Sequence, residues 1–351
     1  MSAPDAHTDP LLGQTVDEKF TLNHLIATGG MGRVYHARDK SIGRDVAVKI
    51  LDVKNNSSKD FTARFIREAQ TLSSLQHANT VRTFGHGQWN STSYLVMELV
   101  KGRSLKAILD EGKIPTQLAL SIAVQICSAL QEAHQKGIIH RDLKPENVLI
   151  IEEDNHFVKL IDFGLVKNLN DNDEMLQMTQ AGQILGSVMY ISPEQIENTD
   201  VDQRADVYTM GALLYEMLMG QTLFQHSGLH KILLCHLNEK PRPFSKTNPD
   251  LKLPPCIEWT VRTCLKKKQS DRFNDAKELR KALESCLLSL NNTRHRNIRL
   301  KLEDGKTKLP PSLRSASPMT AEDATSSPIT RIIMAIIGLT AVAIGLWQLA
   351  N

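Results

Sequence analysis

Eight consecutive residues, His140-Arg141-Asp142-Leu143-Lys144-Pro145-Glu146-Asn147, put a carboxylate, an ammonium and a side-chain amide in one short loop. Fifteen positions after Asn147, a second carboxylate stands in Asp162-Phe163-Gly164. A carboxylate such as Asp142 accepts a hydrogen bond from a hydroxyl and aims it at an electrophile. In a loose phosphoryl-transfer transition state that aiming matters more than basicity. Lys144 supplies positive charge where phosphoryl oxygens gain negative charge. Asn147 and Asp162 offer hard oxygens, the donors that magnesium prefers, so the set is equipped to hold a magnesium triphosphate. Few other chemistries need these parts in this order and spacing.

Such groups need rigid supports. Phe157 to Ile161 is an apolar strand that would fix Asp162 at the floor of a cleft. Thr116 to Gln135 carries Leu118, Ile122, Ile126 and Leu130 on one face, the pattern of an amphipathic helix, and Gly137 stops it. Ahead of these, Thr21 to Ile26, Arg33 to Ala37, Asp45 to Leu51 and Ser93 to Leu99 read as strands, with one helix over Phe61 to Leu75. Behind them helices dominate, including Ala205 to Met219, closed by Gly220, and Asp275 to Leu287. Strands in front and helices behind predict an α+β chain of two lobes.

From Phe20 to about Leu287 these segments resemble the eukaryotic-like Ser/Thr protein kinases, in particular their bacterial branch. The resemblance implies a bilobal kinase fold with a small β-rich N-lobe, one main helix there, and a larger helical C-lobe. It implies transfer of the ATP γ-phosphate to protein hydroxyls with Mg2+, manganese being the alternative ion. Asp142 would orient the acceptor hydroxyl, Lys144 would reach the γ-phosphate in the Ser/Thr version of the loop, and Asn147 and Asp162 would hold the metal. Lys49, in Val46-Ala47-Val48-Lys49, would reach the α- and β-phosphates and pair with Glu68 in Arg67-Glu68-Ala69. Phe163 would pack inward against the helix that bears Glu68. The phosphate-covering segment reads Ile26-Ala27-Thr28-Gly29-Gly30-Met31-Gly32-Arg33-Val34, with Ala27 where the family shows its first glycine. Val34 and Ala47 would cover the adenine, backbone groups of Glu98 and Val100 would bind it, and Met97 would gate the space behind. In the activation segment, Leu165 to Ile191, the Ser187 hydroxyl would bond Asp142. Thr179 is the regulatory phosphosite, ordered against Arg141. Glu194 would pair with Arg272, and Asp206 would accept backbone N–H groups beneath the catalytic loop. Two other functions fit the same fold, a nucleotide-binding pseudokinase scaffold and a small-molecule phosphotransferase. The intact Asp142, Asp162 and Lys49 argue against the first, and the Gly186-Ser187 to Glu194 peptide shelf argues against the second.

A net charge of +3, with Lys and Arg spread along the chain, does not suggest a nucleic-acid partner. Five cysteines without Cys-x-x-Cys spacing read as thiols in a reducing cytosol. The polar start predicts a flexible segment over residues 1–19 and no signal peptide, followed by a kinase domain over 20–287. A Pro-, Ser- and Thr-rich stretch predicts a disordered linker over 288–330, its first part basic enough to lie on anionic lipid. Ile332 to Ala350 has no charged residue and is long enough to cross a bilayer. A transmembrane helix over 331–350 is expected, as a single-pass tail anchor in the cytoplasmic membrane with the kinase domain in the cytoplasm. The expected partners are ATP, protein substrates, the membrane, and a second copy for autophosphorylation in trans.

Overall fold

Strand-forming residues dominate the first hundred positions and build a six-stranded antiparallel sheet in the order β1-β2-β3-β4-β6-β5. The computed structural model describes residues 9–29, 32–51, 66–67, 69–90, 92–163, 185–226 and 228–303, with residue 185 and residues 292–303 given by backbone. The strands are β1 (Thr15–Val16), β2 (Phe20–Gly29), β3 (Gly32–Asp39), β4 (Arg44–Leu51), β5 (Thr83–Trp89) and β6 (Thr92–Glu98).

Side chains alternate across a strand, so β4 separates two apolar clusters. Val46, Val48 and Ile50 join Leu22, Tyr35, Ala37, Tyr94 and Val96 on one face. Ala47 and Leu51 face Ala69, Leu95 and Met97 on the other. Lys49 shares the second face by its parity, and this delivers its ammonium toward the cleft. Gly32, at the start of β3, has φ +142° and lies so close to β4 that a Cβ there would sit 2.1 Å from the Ile50 carbonyl oxygen. Only glycine fits.

A small antiparallel sheet of β7 (Arg103–Ser104), β8 (Val148–Ile151) and β9 (Phe157–Leu160) follows. The β8–β9 hairpin pairs Val148 with Leu160, and the Ile161 N–H donates to the Asn147 carbonyl at 3.0 Å. That pairing is why Asn147 and Asp162, distant in sequence, stand together. The Val81 N–H donates to the Leu160 carbonyl (2.9 Å), tying the approach to β5 to the same hairpin.

The helices are α1 (Leu105–Asp110), α2 (Thr116–Gln135), α3 (Leu185–Val188), α4 (Pro193–Glu197), α5 (Arg204–Met219), α6 (Leu229–Asn238), α7 (Phe244–Thr247), α8 (Pro255–Cys264) and α9 (Ala276–Glu303). Every residue of α5 from Ala205 to Met219 is buried, as expected of a helix that is apolar nearly all round. It packs against α2 and α8. A Cβ at Gly211 would meet the Cys264 Cβ at 2.4 Å, so the missing side chain sets the α5–α8 approach. The α+β, two-part layout expected from the sequence is present.

Two expectations about the chain's margins need correction. The segment 1–19, expected to be flexible, is built into the first sheet from Asp9 onward. Asp9 accepts from Tyr35 Oη (2.8 Å) and Arg33 Nη1 (3.1 Å), β1 pairs with β2, and Leu11, Leu12 and Val16 join the outer apolar cluster. Burial of those three side chains and the paired carboxylate offset the ordering cost. The linker expected from residue 288 is helical as far as Glu303. Residues 291–303 contain neither Pro nor Gly and include good helix formers, so nothing stops α9 there. Within 1–292 the chain forms one compact unit. Among the described residues no helix is long and apolar enough to cross a membrane. The helix expected over Phe61–Leu75 is seen at residues 66–67 and 69–73. The expected span 331–350 lies outside the described residues, as do residues 61–65, Glu68, Gly30, Met31, Gly164 and Thr179.

Candidate active site

The catalytic loop runs from the end of α2 into β8, and its backbone is held from below. Asp206, in the first turn of α5, is 1% exposed. It accepts the N–H groups of His140 (2.8 Å) and Arg141 (3.0 Å) and the His134 Nε2 at 2.9 Å. A buried carboxylate survives only with such donors. Burial alone would raise the Asp206 carboxyl, but the hydrogen bonds from the His134 ring and the His140 backbone N–H hold it below its ordinary value. Burial also depresses the His140 ring, outweighing the Asp206, Asp142 and Asp162 carboxylates nearby, so that imidazole stays neutral. Arg141 is in the left-handed region, φ +61°. Its N–H is fixed by Asp206 and its carbonyl by Gln195 Nε2 at 2.9 Å, so the strained conformation is held from both sides.

That conformation aims the next residues into one cluster. Asn147 Nδ2 donates to the Asp142 carbonyl (2.8 Å) and to Asp142 Oδ2 (3.2 Å). With the amide nitrogen so committed, the oxygen is the atom left to present to a cation. Lys144 Nζ lies 3.0 Å from Asp142 Oδ2 and donates to Ser187 Oγ at 2.9 Å. The Ser187 hydroxyl, expected to bond Asp142 itself, is joined to it through this ammonium. A carboxylate oriented by an amide and an ammonium, at the edge of the activation segment, can receive and aim a substrate hydroxyl.

Above this cluster, Lys49 Nζ donates to Asp162 Oδ1 at 2.7 Å. Asp162 also has a left-handed backbone, φ +52°, which swings its carboxylate out of line with β9. Glu68, the expected partner of Lys49, lies outside the described residues; the carboxylate seen on Lys49 is Asp162. Phe163 is buried and packs, tilted by 39°, against the His140 ring at 4.5 Å between centroids. With Leu72, Leu75, Leu95 and Met97 it lines a small cavity behind the cleft. Phe163 is thus turned inward, toward Leu72 and Leu75. Asn147 Oδ1 and the Asp162 carboxylate are the hard-oxygen donor set that suits magnesium.

Residues at the expected adenine end are partly committed to structure. The Glu98 N–H donates to the Arg82 carbonyl (2.9 Å), and Glu98 Oε2 accepts from Lys159 Nζ (2.9 Å) and the Arg82 N–H (3.2 Å). An adenine contact at Glu98 therefore falls to its carbonyl. Val100 is half-buried, Ala47 is buried beneath β3, and Val34 packs against the same cluster. Ile26, Ala27, Thr28 and Gly29 are exposed along β2, and Ala27 pairs with Val34. The Arg33 guanidinium points to Asp9, not to the cleft.

The docking shelf is anchored by the expected ion pair. Arg272 Nη1 and Nη2 reach Glu194 Oε1 and Oε2 at 2.7 and 2.8 Å, and three backbone carbonyls take the remaining guanidinium donors. Sequence reasoning missed four supporting residues. His134 braces Asp206, and nothing in an amphipathic helix marked that histidine. Gln195, which holds the Arg141 carbonyl, carried a signal, because Ser192 and Gln195 form a capping box at α4. Tyr190 Oη donates to the buried Glu216, a pair joined across elements that no local sequence pattern marks.

Comparison with known proteins bears on this arrangement. The family described as the protein kinase domain matches residues 20–291. The chain is 35% identical over 289 residues to serine/threonine-protein kinase pkn3 of Myxococcus xanthus, covering 81% of this chain and 52% of that protein. It is 37% identical over 270 residues to serine/threonine-protein kinase PknA of Mycobacterium tuberculosis, covering 75% and 60%. The chain thus spans about half the length of the curated relatives it matches. The kinase domain of Mycobacterium tuberculosis PknI shares the fold, with a TM-score of 0.61, 24% identity, and 78% of this chain and 98% of that one covered. With the catalytic loop, the Lys49–Asp162 pair and the Glu194–Arg272 anchor together in one unit, the chain belongs to the protein kinase domain family.

Proposed function

We propose that this chain is a membrane-tethered serine/threonine protein kinase that moves the ATP γ-phosphoryl group onto protein hydroxyls. The observation that carries the reading is the contact between Asp142, Lys144 and Asn147, with Ser187 on the same ammonium. Asp142 Oδ2 accepts the substrate hydroxyl and takes its proton late, when the phosphoryl bond is mostly formed. Lys144 spreads the charge on the transferred group. Its bond to Ser187 couples that task to the segment on which a peptide rests. Lys49 holds the α- and β-phosphates, Gly29 to Gly32 cover them, and adenine lies under Val34 and Ala47 against the Glu98 carbonyl and the Val100 N–H. Asn147 and Asp162 would hold magnesium, which would supply charge neutralisation for the phosphates.

Two finer features belong to the same reading. Residues 332–350 anchor the chain in the cytoplasmic membrane, on the strength of their length and uniform apolarity. Thr179 is phosphorylated in trans by a second copy, since tethering raises local concentration. The test is radiolabelled ATP with the full chain purified in detergent. Label should enter protein serine and threonine and vanish in Asp142→Asn; labelling unchanged in that variant, or label only in a soluble metabolite, ends the kinase reading. Fractionation of cells expressing the chain without residues 332–351 tests the anchor, which is lost if that variant still sediments with membranes. Loss of activity in Thr179→Ala, several-fold or more, tests the loop phosphosite.

A further inference from the structure

Away from the cleft, and among the described residues, three ligand-bearing side chains converge where the turn after α5 meets the end of α6. A nitrogen of His226, Cys235 Sγ and a carboxylate oxygen of Glu239 all lie within 4.8 Å of one another. We infer that His226, Cys235 and Glu239 form a zinc site that fastens the segment before α6 to the end of that helix.

The local structure brings these residues together without strain. Cys235 and Glu239 are four apart at the end of α6, so they share one face of the helix. The Glu239 N–H donates to the Cys235 carbonyl at 2.9 Å and keeps that turn closed. His226 comes from the turn that precedes the helix. Zinc bound at about 2.1–2.3 Å from nitrogen, oxygen and sulfur in tetrahedral array needs ligands roughly 3.5 Å apart. The observed spread closes to that value with side-chain movements on the order of 1 Å.

The donor set selects the ion. Thiolate, imidazole and carboxylate together suit borderline-soft zinc, whereas magnesium and calcium take all-oxygen sets. Burial also fits: Cys235 is buried, while His226 and Glu239 are exposed, so an ion enters from solvent and keeps a water in its fourth position. Binding replaces the Cys235 thiol proton by the metal and releases that proton to water. The thiolate and the Glu239 carboxylate then neutralise both charges of the ion. The neighbouring Lys267 ammonium acts on Cys235 and Glu239 through its charge, but its hydrogen bonds go elsewhere. It is held by the Cys235 and His236 carbonyls at 3.1 and 2.6 Å and lies over the Tyr208 and Phe224 rings.

The full-length chain, purified in detergent and stripped with a chelator, is titrated with zinc in competition with a chromophoric chelator. One zinc per chain is expected, and the cobalt-loaded protein should show a thiolate-to-cobalt charge-transfer band that Cys235→Ser lacks. His226→Ala and Glu239→Gln change exposed side chains, so both should fold, and each should weaken zinc at least about tenfold. Zinc should raise the thermal midpoint of the parent chain and leave that of His226→Ala unmoved. Absence of stoichiometric zinc, a cobalt spectrum without a thiolate band, or parental affinity in both exposed variants would overturn the site.

Discussion

The supports beneath the catalytic loop and the strands that cover the nucleotide are built on opposite principles. Below the loop, charges are buried and saturated. Asp206 takes three donors, and the Glu194–Arg272 pair is 4% and 0% exposed with every guanidinium donor placed. Above it, the ion pair in the cleft is Lys49–Asp162, whose carboxylate is 33% exposed, and the end of β2 lies open to solvent. In the proposed kinase, the half that would aim the hydroxyl is thus fixed by the chain itself. The half that would meet ATP carries charge in contact with water, where exchange for phosphate and metal costs little.

Arg272→Ala should produce the largest effect, because it strands the Glu194 carboxylate in the interior. A loss of about 3–5 kcal/mol in folding stability is expected, read by chemical denaturation. A loss under about 1 kcal/mol would mean that the anchor is no stronger than a surface pair, and the contrast would fail. Lys49→Met probes the other half. It should cut kcat/KM at least about 100-fold while changing stability by less than about 1 kcal/mol. A large stability loss in that variant would show that the upper pair is scaffold too.

Acid sensitivity should follow the lower half. Burial keeps His140 neutral in the folded chain, its value depressed below the ordinary 6.5. Below about pH 6.5 the unfolded chain takes up a proton that the native ring refuses, so stability is full above that point and falls as pH drops through it. His140 alone contributes up to about 1.4 kcal/mol per pH unit to this slope. Denaturation curves between about pH 7.5 and about pH 5 should be shallower in pH for His140→Gln by up to that amount. An identical slope would remove the ring from the account.

The sequence made some parts of this arrangement legible and hid others, for physical reasons. Periodicity located α2 at its true bounds, Thr116–Gln135, because one face is apolar throughout and Gly137, with φ +71°, ends it. It located α5 to within a residue for a different reason, a continuous apolar run closed by Gly220. The candidate catalytic residues stood out because each fits a task that few side chains can do, and the structure brings Asp142, Lys144 and Asn147 into contact and pairs Lys49 with Asp162. Supports were less so. Asp206 was anticipated, but its His134 contact depends on two helices crossing, and no local pattern encodes a crossing. The Asp9 strap was hidden among polar residues; only Leu11, Leu12 and Val16 hinted that the segment had something to bury. The extension of α9 was masked by basic residues that read equally well as linker and as helix surface.

The finest test of the comparison lies in the phosphate-covering strand, at the alanine that stands where the kinase family shows glycine. Ala27 is exposed and pairs with Val34 next to a register shift in β2, so its methyl meets no backbone wall there. Gly32 is the opposite case, pressed against the Ile50 carbonyl with positive φ, and of the segment's two described glycines it is the one that must be glycine. Ala27→Gly should therefore lower stability by about 0.5–1 kcal/mol, the entropic cost of glycine in a strand. It should lower KM for ATP by less than about fivefold, since one methyl is removed from the approach to ribose and no contact is made; kcat should be unchanged. ATP titration at saturating peptide reads both constants. A fall in KM of about tenfold or more would mean that the covering strand grips nucleotide as closely as the loop below grips its own backbone, and the division between a fixed half and an open half would no longer hold.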